Sequence, residues 1–215
     1  MGDVYVGGKK IPLDPSRTIG KGGEADVYDI GGGIALKIFK PPDHPDYQGN
    51  SHEQNAARER IAAHQDKLIA FPKNLPARVV TPKEIATDRT GRKIVGYTMN
   101  FLRGAEVLMR YADRGFRESG APNDIVVKIF QGLHGTVTGI HKIGVVIGDF
   151  NDLNILVANE TEAHVIDADS FQFNSFFCKV FTARFVDPLR CDPRATSLML
   201  NQPHTAKSDW YAYSV

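Results

Sequence analysis

Two short apolar runs, Ile155 to Ala158 and Ala163 to Ile166, flank the polar tetrad Asn159-Glu160-Thr161-Glu162, and this pattern constrains the fold more than any other stretch of the chain. Runs of this length around a polar turn close a β-hairpin. In an antiparallel pair the start of the first strand lies beside the end of the second, which makes Asn154 and Asp167 neighbours. Both side chains carry hard oxygen donors. Mg²⁺ takes one or two such ligands from protein and the rest from phosphate and water, so Asn154 and Asp167 are candidate metal ligands. Asp149 stands one loop earlier, in Val146-Ile147-Gly148-Asp149-Phe150-Asn151-Asp152-Leu153-Asn154. There a carboxylate can orient or deprotonate a hydroxyl nucleophile. Asp and Asn also favour turns on their own account; the N-terminal half of the chain argues that more than a turn is written here.

That half contains Gly20-Lys21-Gly22-Gly23-Glu24-Ala25-Asp26-Val27. A dinucleotide fingerprint requires a helix directly after the glycines, and a Walker A loop requires Gly-Lys followed by Ser or Thr; neither is present. Instead Asp26 to Ile30 reads as a strand, Gly31 to Gly33 as a tight turn and Ile34 to Phe39 as a second strand. The glycines then belong to a β-turn-β flap whose bare backbone lets amides approach an anion. On the second strand Ala35, Lys37 and Phe39 share one face, opposite Leu36 and Ile38. Lys37 needs a partner if that face is buried and is an ordinary surface lysine if it is not.

After the break Pro41 to Pro45, Ser51 to Gln54 reads as a capping box that opens a helix running to about Ala70. On it Glu59, with Ala56, Ala62 and Ala63 at helical-neighbour spacing, is the candidate carboxylate for Lys37. Glu53 in the first turn is the second candidate, and a solvated charge between Arg58 and Arg60 is the plain alternative for Glu59. The segments Arg78 to Ile85 and Lys93 to Leu102 bracket the turn Asp88 to Gly91 and read as a hairpin completing a small antiparallel sheet. The second runs into Met99 to Gly104, where the chain leaves sheet character and a hinge between lobes is expected.

Further on, Asn123-Asp124 can cap a helix whose apolar positions Ile125, Val126, Ile129, Phe130, Leu133, Val137 and Ile140 keep helical spacing. His134 and His141 on it lack a second histidine or cysteine at metal-ligand spacing and read as structural. Beyond Phe171 the pattern is that of a long functional loop, in which Ser170, Ser175 and Thr182 read as loop hydroxyls with phosphosites as the alternative. Ser208 to Val215 opens a helix.

Composition excludes several classes. Lys plus Arg number 26 and Asp plus Glu 25 in 215 residues, a balance that disfavours nucleic acid or an anionic membrane as the main partner. Cys178 and Cys191 make neither a disulfide framework nor a metal motif. No run is long and apolar enough to cross a bilayer, and the first residues lack a signal-peptide core, so a cytoplasmic setting is expected.

Taken together these residues resemble the eukaryotic-like protein kinase superfamily, in its bacterial branch with a Gly-Asp loop. The resemblance, running from Thr18 to Val215, implies an α+β fold of two lobes. Residues 1–102 would be an antiparallel β lobe with one helix, and 103–215 a mainly helical lobe truncated after the start of its helix F, to be completed by a longer chain or a partner. It implies that Gly20, Lys21, Gly22, Gly23, Ala25 and Val27 form the glycine-rich loop, that Ala35 and Lys37 contact the nucleotide, and that Glu59 pairs with Lys37. Met99 would be the gatekeeper, and Asn100, Phe101 and Leu102 the adenine-contacting hinge. Asp149 would be the catalytic base, Asn154 and Asp167 ligands of Mg²⁺ or Mn²⁺, and Asp209 the residue tying down the catalytic loop. The implied activity is ATP-dependent phosphorylation of Ser or Thr on a protein. Gly148 and Asn151, where many protein kinases carry Arg and Lys, also suit a small-molecule kinase, while Asn151, Asp169 in place of a glycine and the expected lack of the helices after helix F suit a nucleotide-binding pseudokinase or interaction module.

Overall fold

The computed structural model describes residues 3–215, which form two compact units. The first takes the chain up to Phe71 together with Thr81–Phe101; the second takes Pro72–Val80 and Leu102–Val215. Among the described residues no helix is long and apolar enough to cross a membrane.

In the first unit seven strands form one sheet: β1 Val4–Val6, β2 Lys9–Ile11, β3 Thr18–Lys21, β4 Ala25–Gly31, β5 Ile34–Phe39, β6 Ile85–Thr87 and β7 Ile94–Asn100. The spatial order is β2-β1-β6-β7-β5-β4-β3, with every neighbouring pair antiparallel. The β4-β5 turn needs its glycines, since Gly31, Gly32 and Gly33 have φ of 89°, 62° and 73°. Alternation then sorts the central strands. Leu36 and Ile38 turn to one face, where they pack with Val4, Val6, Tyr28 and Ala86. Ala25, Phe39, Ile94 and Tyr97 serve the other, against Ile61 and Leu68 of and just beyond helix α1, Ser51–Lys67.

Three local expectations are corrected here. The cap of α1 is Asn50, whose Oδ1 accepts from Glu53 N at 3.2 Å, so the helix is entered one residue before Ser51. Ala62 and Ala63 are exposed; the sheet instead receives Ala57, Ile61 and His64, because larger apolar and ring surfaces gain more from burial than methyl groups. The partner of β7 begins only at Ile85, and Arg78 to Val80 belong to the second unit. There Val165 N donates to Arg78 O at 2.9 Å and Val80 N to Val165 O at 2.8 Å.

The second unit holds β8 Glu106–Val107, α2 Arg114–Glu118, α3 Asn123–Lys142, β9 Ile155–Ala158, β10 Glu162–Val165 and α4 Ala206–Ser214, with a three-stranded antiparallel sheet in the order β10-β9-β8. The expected hairpin forms, in register from Val165 opposite Ile155 to Glu162 opposite Ala158, and its turn holds Asn159 and Glu160 at φ 47° and 66°. Helix α3 buries Ile129, Leu133, Val137 and Ile140, spaced as one helical face. Its N-cap position is Pro122 without a side-chain cap, so Asn123 and Asp124 lie in the first turn, where Asp124 complements the helix dipole. Gly139 lets the segment 72–80 cross this helix, since a Cβ there would lie 2.8 Å from Pro76 Cγ. Helices on antiparallel sheets make this an α+β protein, the class expected from the sequence.

Gly96 is the tightest point of the first sheet. A Cβ built on it would lie 2.0 Å from the Lys37 carbonyl oxygen. Gly96→Ala should therefore destabilise the first unit by about 2–3 kcal/mol in urea denaturation, while Gly23→Ala, with open space around it, should stay within about 1 kcal/mol of the parent. Equal stability of the two variants would show that the β5-β7 pairing does not depend on this contact.

Candidate active site

The first unit holds a candidate lysine and a glycine turn. Register places Val27, Lys37, Tyr97 and Ile85 in one row across β4, β5, β7 and β6, and Ala35 opposite Met99 in the next. Lys37 is only 6% exposed, and its Nζ stands 5.9 Å from the Tyr97 ring centroid, within reach of a cation–π attraction. On α1, Glu59 is exposed, two residues past buried Ala57 and so on the far side of the helix, whereas half-buried Glu53 lies one turn before Ala57 on the sheet-facing side. Met99 is half-buried against the α1-side core and Asn100 is exposed at the strand end. Phe101 N donates to Gly33 O at 2.9 Å, and Leu102 begins the second unit's portion.

Between β3 and β4 the chain turns through Gly22, Gly23 and Glu24, closed by Gly22 N on Ala25 O at 2.9 Å. None of Gly20, Gly22 and Gly23 has a positive φ. A Cβ on them would meet Val27 Cβ at 3.7 Å, Ala25 O at 3.4 Å and nothing within 4 Å respectively. The fold itself therefore does not demand glycine at these positions, although glycine costs conformational entropy. Close approach by a ligand would.

What the sequence did not disclose is how this turn is held. Lys40, 3% exposed, donates from Nζ to Gly22 O at 2.6 Å and to Asp46, with Asp26 Oδ1 at 3.6 Å. Tyr47 OH donates to Gly23 O at 2.6 Å. Arg60 of α1 reaches Glu24 Oε1 at 2.8 Å and Tyr47 OH at 3.1 Å. Burial alone would lower the Lys40 pKa, but the hydrogen bond to Asp46 and the charges of Asp26 and Asp46 outweigh it and hold the amine above its ordinary value. The same bond holds Asp46 below its own. Burial pushes the Tyr47 phenol up, so it remains a donor.

The second unit holds the candidate carboxylates. Thr205 caps α4, and Asp209 in its first turn is fully buried. Its carboxylate accepts from Ile147 N at 2.8 Å, from Gly148 N at 3.0 Å and from His141 Nε2 at 2.8 Å. The loop so fixed presents Asp149, whose Oδ1 accepts from Thr182 Oγ1 at 2.9 Å and Asn151 Nδ2 at 3.1 Å. Asn151 Nδ2 also donates to Thr182 Oγ1 at 3.0 Å, which closes a triangle. Asn154 Nδ2 donates to Asp149 O at 2.9 Å, so its amide presents Oδ1, the atom a hard cation takes. Ile166 N donates to Asn154 O at 2.9 Å, which sets Asp167 beside Asn154 along the hairpin. Asp167 adopts φ 61° and ψ 33°, a left-handed conformation that Asp tolerates better than most residues. Asn154 and Asp167 are thereby the residues that could hold a divalent cation.

No protein-family model matches the chain. It is 26% identical over 189 residues to the protein kinase YegI of Escherichia coli O157:H7, and 25% identical over 185 residues to that of Escherichia coli strain K12. These matches take in 82% and 80% of this chain. These matches support a place in the protein kinase-like superfamily. It spans only about a quarter of the length of the curated relatives it matches, 27% and 26%.

Within this kinase-like chain the departures noted in the sequence acquire physical reasons. Gly148 has φ 82°, and a Cβ on it would lie 2.7 Å from Cys178 Cβ and 2.8 Å from its Sγ. No larger residue fits where many protein kinases carry arginine. Asn151 is buried and fully used: besides its donor contacts, its Oδ1 accepts from Leu153 N at 3.0 Å and Asn154 N at 3.1 Å, an arrangement a lysine could not reproduce. Asp169 is buried and engaged within the fold. Thr182, read from the sequence as a loop hydroxyl, sits on Asp149; no local pattern marks it, because the contact spans 33 positions.

Asp209→Ala removes the common acceptor of two backbone amides and a histidine. It should destabilise the second unit by about 3 kcal/mol, read as a lower urea midpoint. It should also speed amide hydrogen exchange at Ile147 and Gly148; unchanged exchange at those two amides would show that the loop is held by something else.

Proposed function

We propose that this chain carries the nucleotide-binding and phosphoryl-transferring part of a kinase. In this reading it uses ATP and Mg²⁺, transfers the γ-phosphoryl group to a Ser or Thr hydroxyl of a protein, and employs Asp149 as the base. The observation that carries the reading is the triangle of Asp149, Asn151 and Thr182 beside the Asn154–Asp167 pair. It combines a carboxylate held in a fixed orientation with two oxygen-bearing residues at neighbouring ends of the hairpin. The protein substrate rests on the names of the relatives, both called protein kinase.

Asp149 accepts two hydrogen bonds on Oδ1, which leaves Oδ2, with only a 3.5 Å contact to Asn154, to receive the hydroxyl proton of the acceptor. Asn154 Oδ1 and the Asp167 carboxylate would hold the cation, which when bound neutralises charge on the phosphates. Lys37 would bind the α- and β-phosphates, with Ala35, Val27 and Met99 on the same sheet face receiving the nucleotide. The carboxylate partner of Lys37 would be Glu59 or Glu53, of which Glu53 lies on the buried side of α1. Asn151 brings an amide where many kinases bring a cation, so one source of transition-state stabilisation is missing and turnover should be slow.

Incubation with γ-labelled ATP and Mg²⁺ tests this. Label transfer should fall by about 10²–10⁴-fold in Asp149→Ala. It should fall about tenfold in Thr182→Val, which loses one charge-assisted hydrogen bond, and be retained in Thr182→Ser. Label transfer that persists in Asp149→Ala would refute the assigned base. Transfer to metabolites but not to proteins would replace protein by small-molecule kinase.

A further inference from the structure

We infer that Lys40 and Tyr47 are positioning residues of the glycine turn, holding its carbonyls on one side so that its amides face an anion on the other. The inference rests on the nucleotide reading above and extends it to residues outside the expected loop. A trans peptide directs its C=O and N–H to opposite sides, and among the described residues there is no cis bond. The oxygen of Gly22 is taken by Lys40 Nζ at 2.6 Å, which turns the Gly23 N–H the other way. The oxygen of Gly23 is taken by Tyr47 OH at 2.6 Å, which does the same for the Glu24 N–H. Lys40 is bonded to Asp46, next to Tyr47 in sequence, so both anchors lie together on one side of the turn. Successive amides turned to one side make an anion-binding concavity.

Two further observations separate this from general packing. Gly22 and Gly23 are exposed and require glycine neither by φ nor by crowding, so the anchors hold a turn that is otherwise soft. Arg60 links the same anchors to α1 through Glu24 and Tyr47, so the turn and the helix are tied as one body. A lysine in the interior with three acceptors around it is an expensive way to hold a surface turn unless the turn's geometry matters.

The test titrates ATP, ADP and adenosine against the full chain, its Tyr47→Phe variant and its Lys40→Met variant, with melting temperature recorded for each. Tyr47→Phe removes one hydroxyl and should melt near the parent. Its Kd for ATP and ADP should rise about tenfold, the equivalent of one lost hydrogen bond, with adenosine binding unchanged. Lys40→Met should show the same phosphate-dependent loss, larger in size; if it does not fold, Tyr47→Phe decides alone. Parent-like ATP affinity in Tyr47→Phe would overturn the inference, as would equal weakening of ATP and adenosine, the mark of a merely structural role. A flat titration of the parent with all three ligands would overturn the nucleotide reading itself and this inference with it.

Discussion

A carboxylate with no solvent contact can persist in a protein only if it is fully hydrogen-bonded, and Asp209 meets that condition with two adjacent backbone amides and a histidine drawn from two different segments. The arrangement joins the end of α3, the loop at Ile147 and Gly148 and the first turn of α4. Everything chemically interesting in the second unit hangs from that junction. With Ile147 and Gly148 fixed, Asp149 projects from a set position, Asn151 and Thr182 close upon it, and Asn154 enters β9 next to Asp167. Removing one partner of such a buried contact is costly, because the groups it satisfied are left buried and unpaired. Asp209 thus secures both the loop's geometry and part of the unit's stability.

The first unit solves the complementary problem of making a bare glycine turn definite. Glycine gives close backbone approach at the cost of conformational freedom, and Gly22 and Gly23 lie where the fold does not require them. Lys40, Tyr47 and Arg60 supply the missing rigidity through carbonyl and side-chain contacts, and the charges of Asp26, Asp46 and Glu24 keep the cations from being buried unpaired. Both units thus use the same device. In each, a backbone segment is fixed by polar side chains that bond its carbonyls or amides.

Much of this was legible in the sequence, and the physical reason is locality. The β9-β10 hairpin follows from two apolar runs and a polar turn, and the β4-β5 hairpin from three glycines with positive φ. Lys37 could be placed on the face of Ala35 because strand alternation leaves no other choice. The hairpin of β1 and β2 is open to the same reasoning through Gly7-Gly8, whose φ of 55° and 77° mark a turn. By contrast, Thr182 meets Asp149 across 33 positions and Tyr47 meets Gly23 across 24, and no periodicity encodes such contacts. Nor does the sequence show which way a helix rolls. Glu59 and Glu53 both keep helical spacing, and only the competition between Ile61 with His64 and the two small alanines decides which side is buried. The helix ends moved for a similar reason, since Asn50 could bond the Glu53 amide where Ser51 was expected to cap.

The proposed pairing of Asn154 and Asp167 on one cation can be made visible with Mn²⁺ in place of Mg²⁺. Electron paramagnetic resonance of Mn²⁺ titrated into the chain with ATP should report bound ion for the parent. In Asp167→Asn and Asn154→Ala the bound signal should fall together, while adenosine affinity stays at the parent's value. Undiminished Mn²⁺ binding in both variants would contradict the account, because the hairpin would then align two oxygen donors that hold nothing.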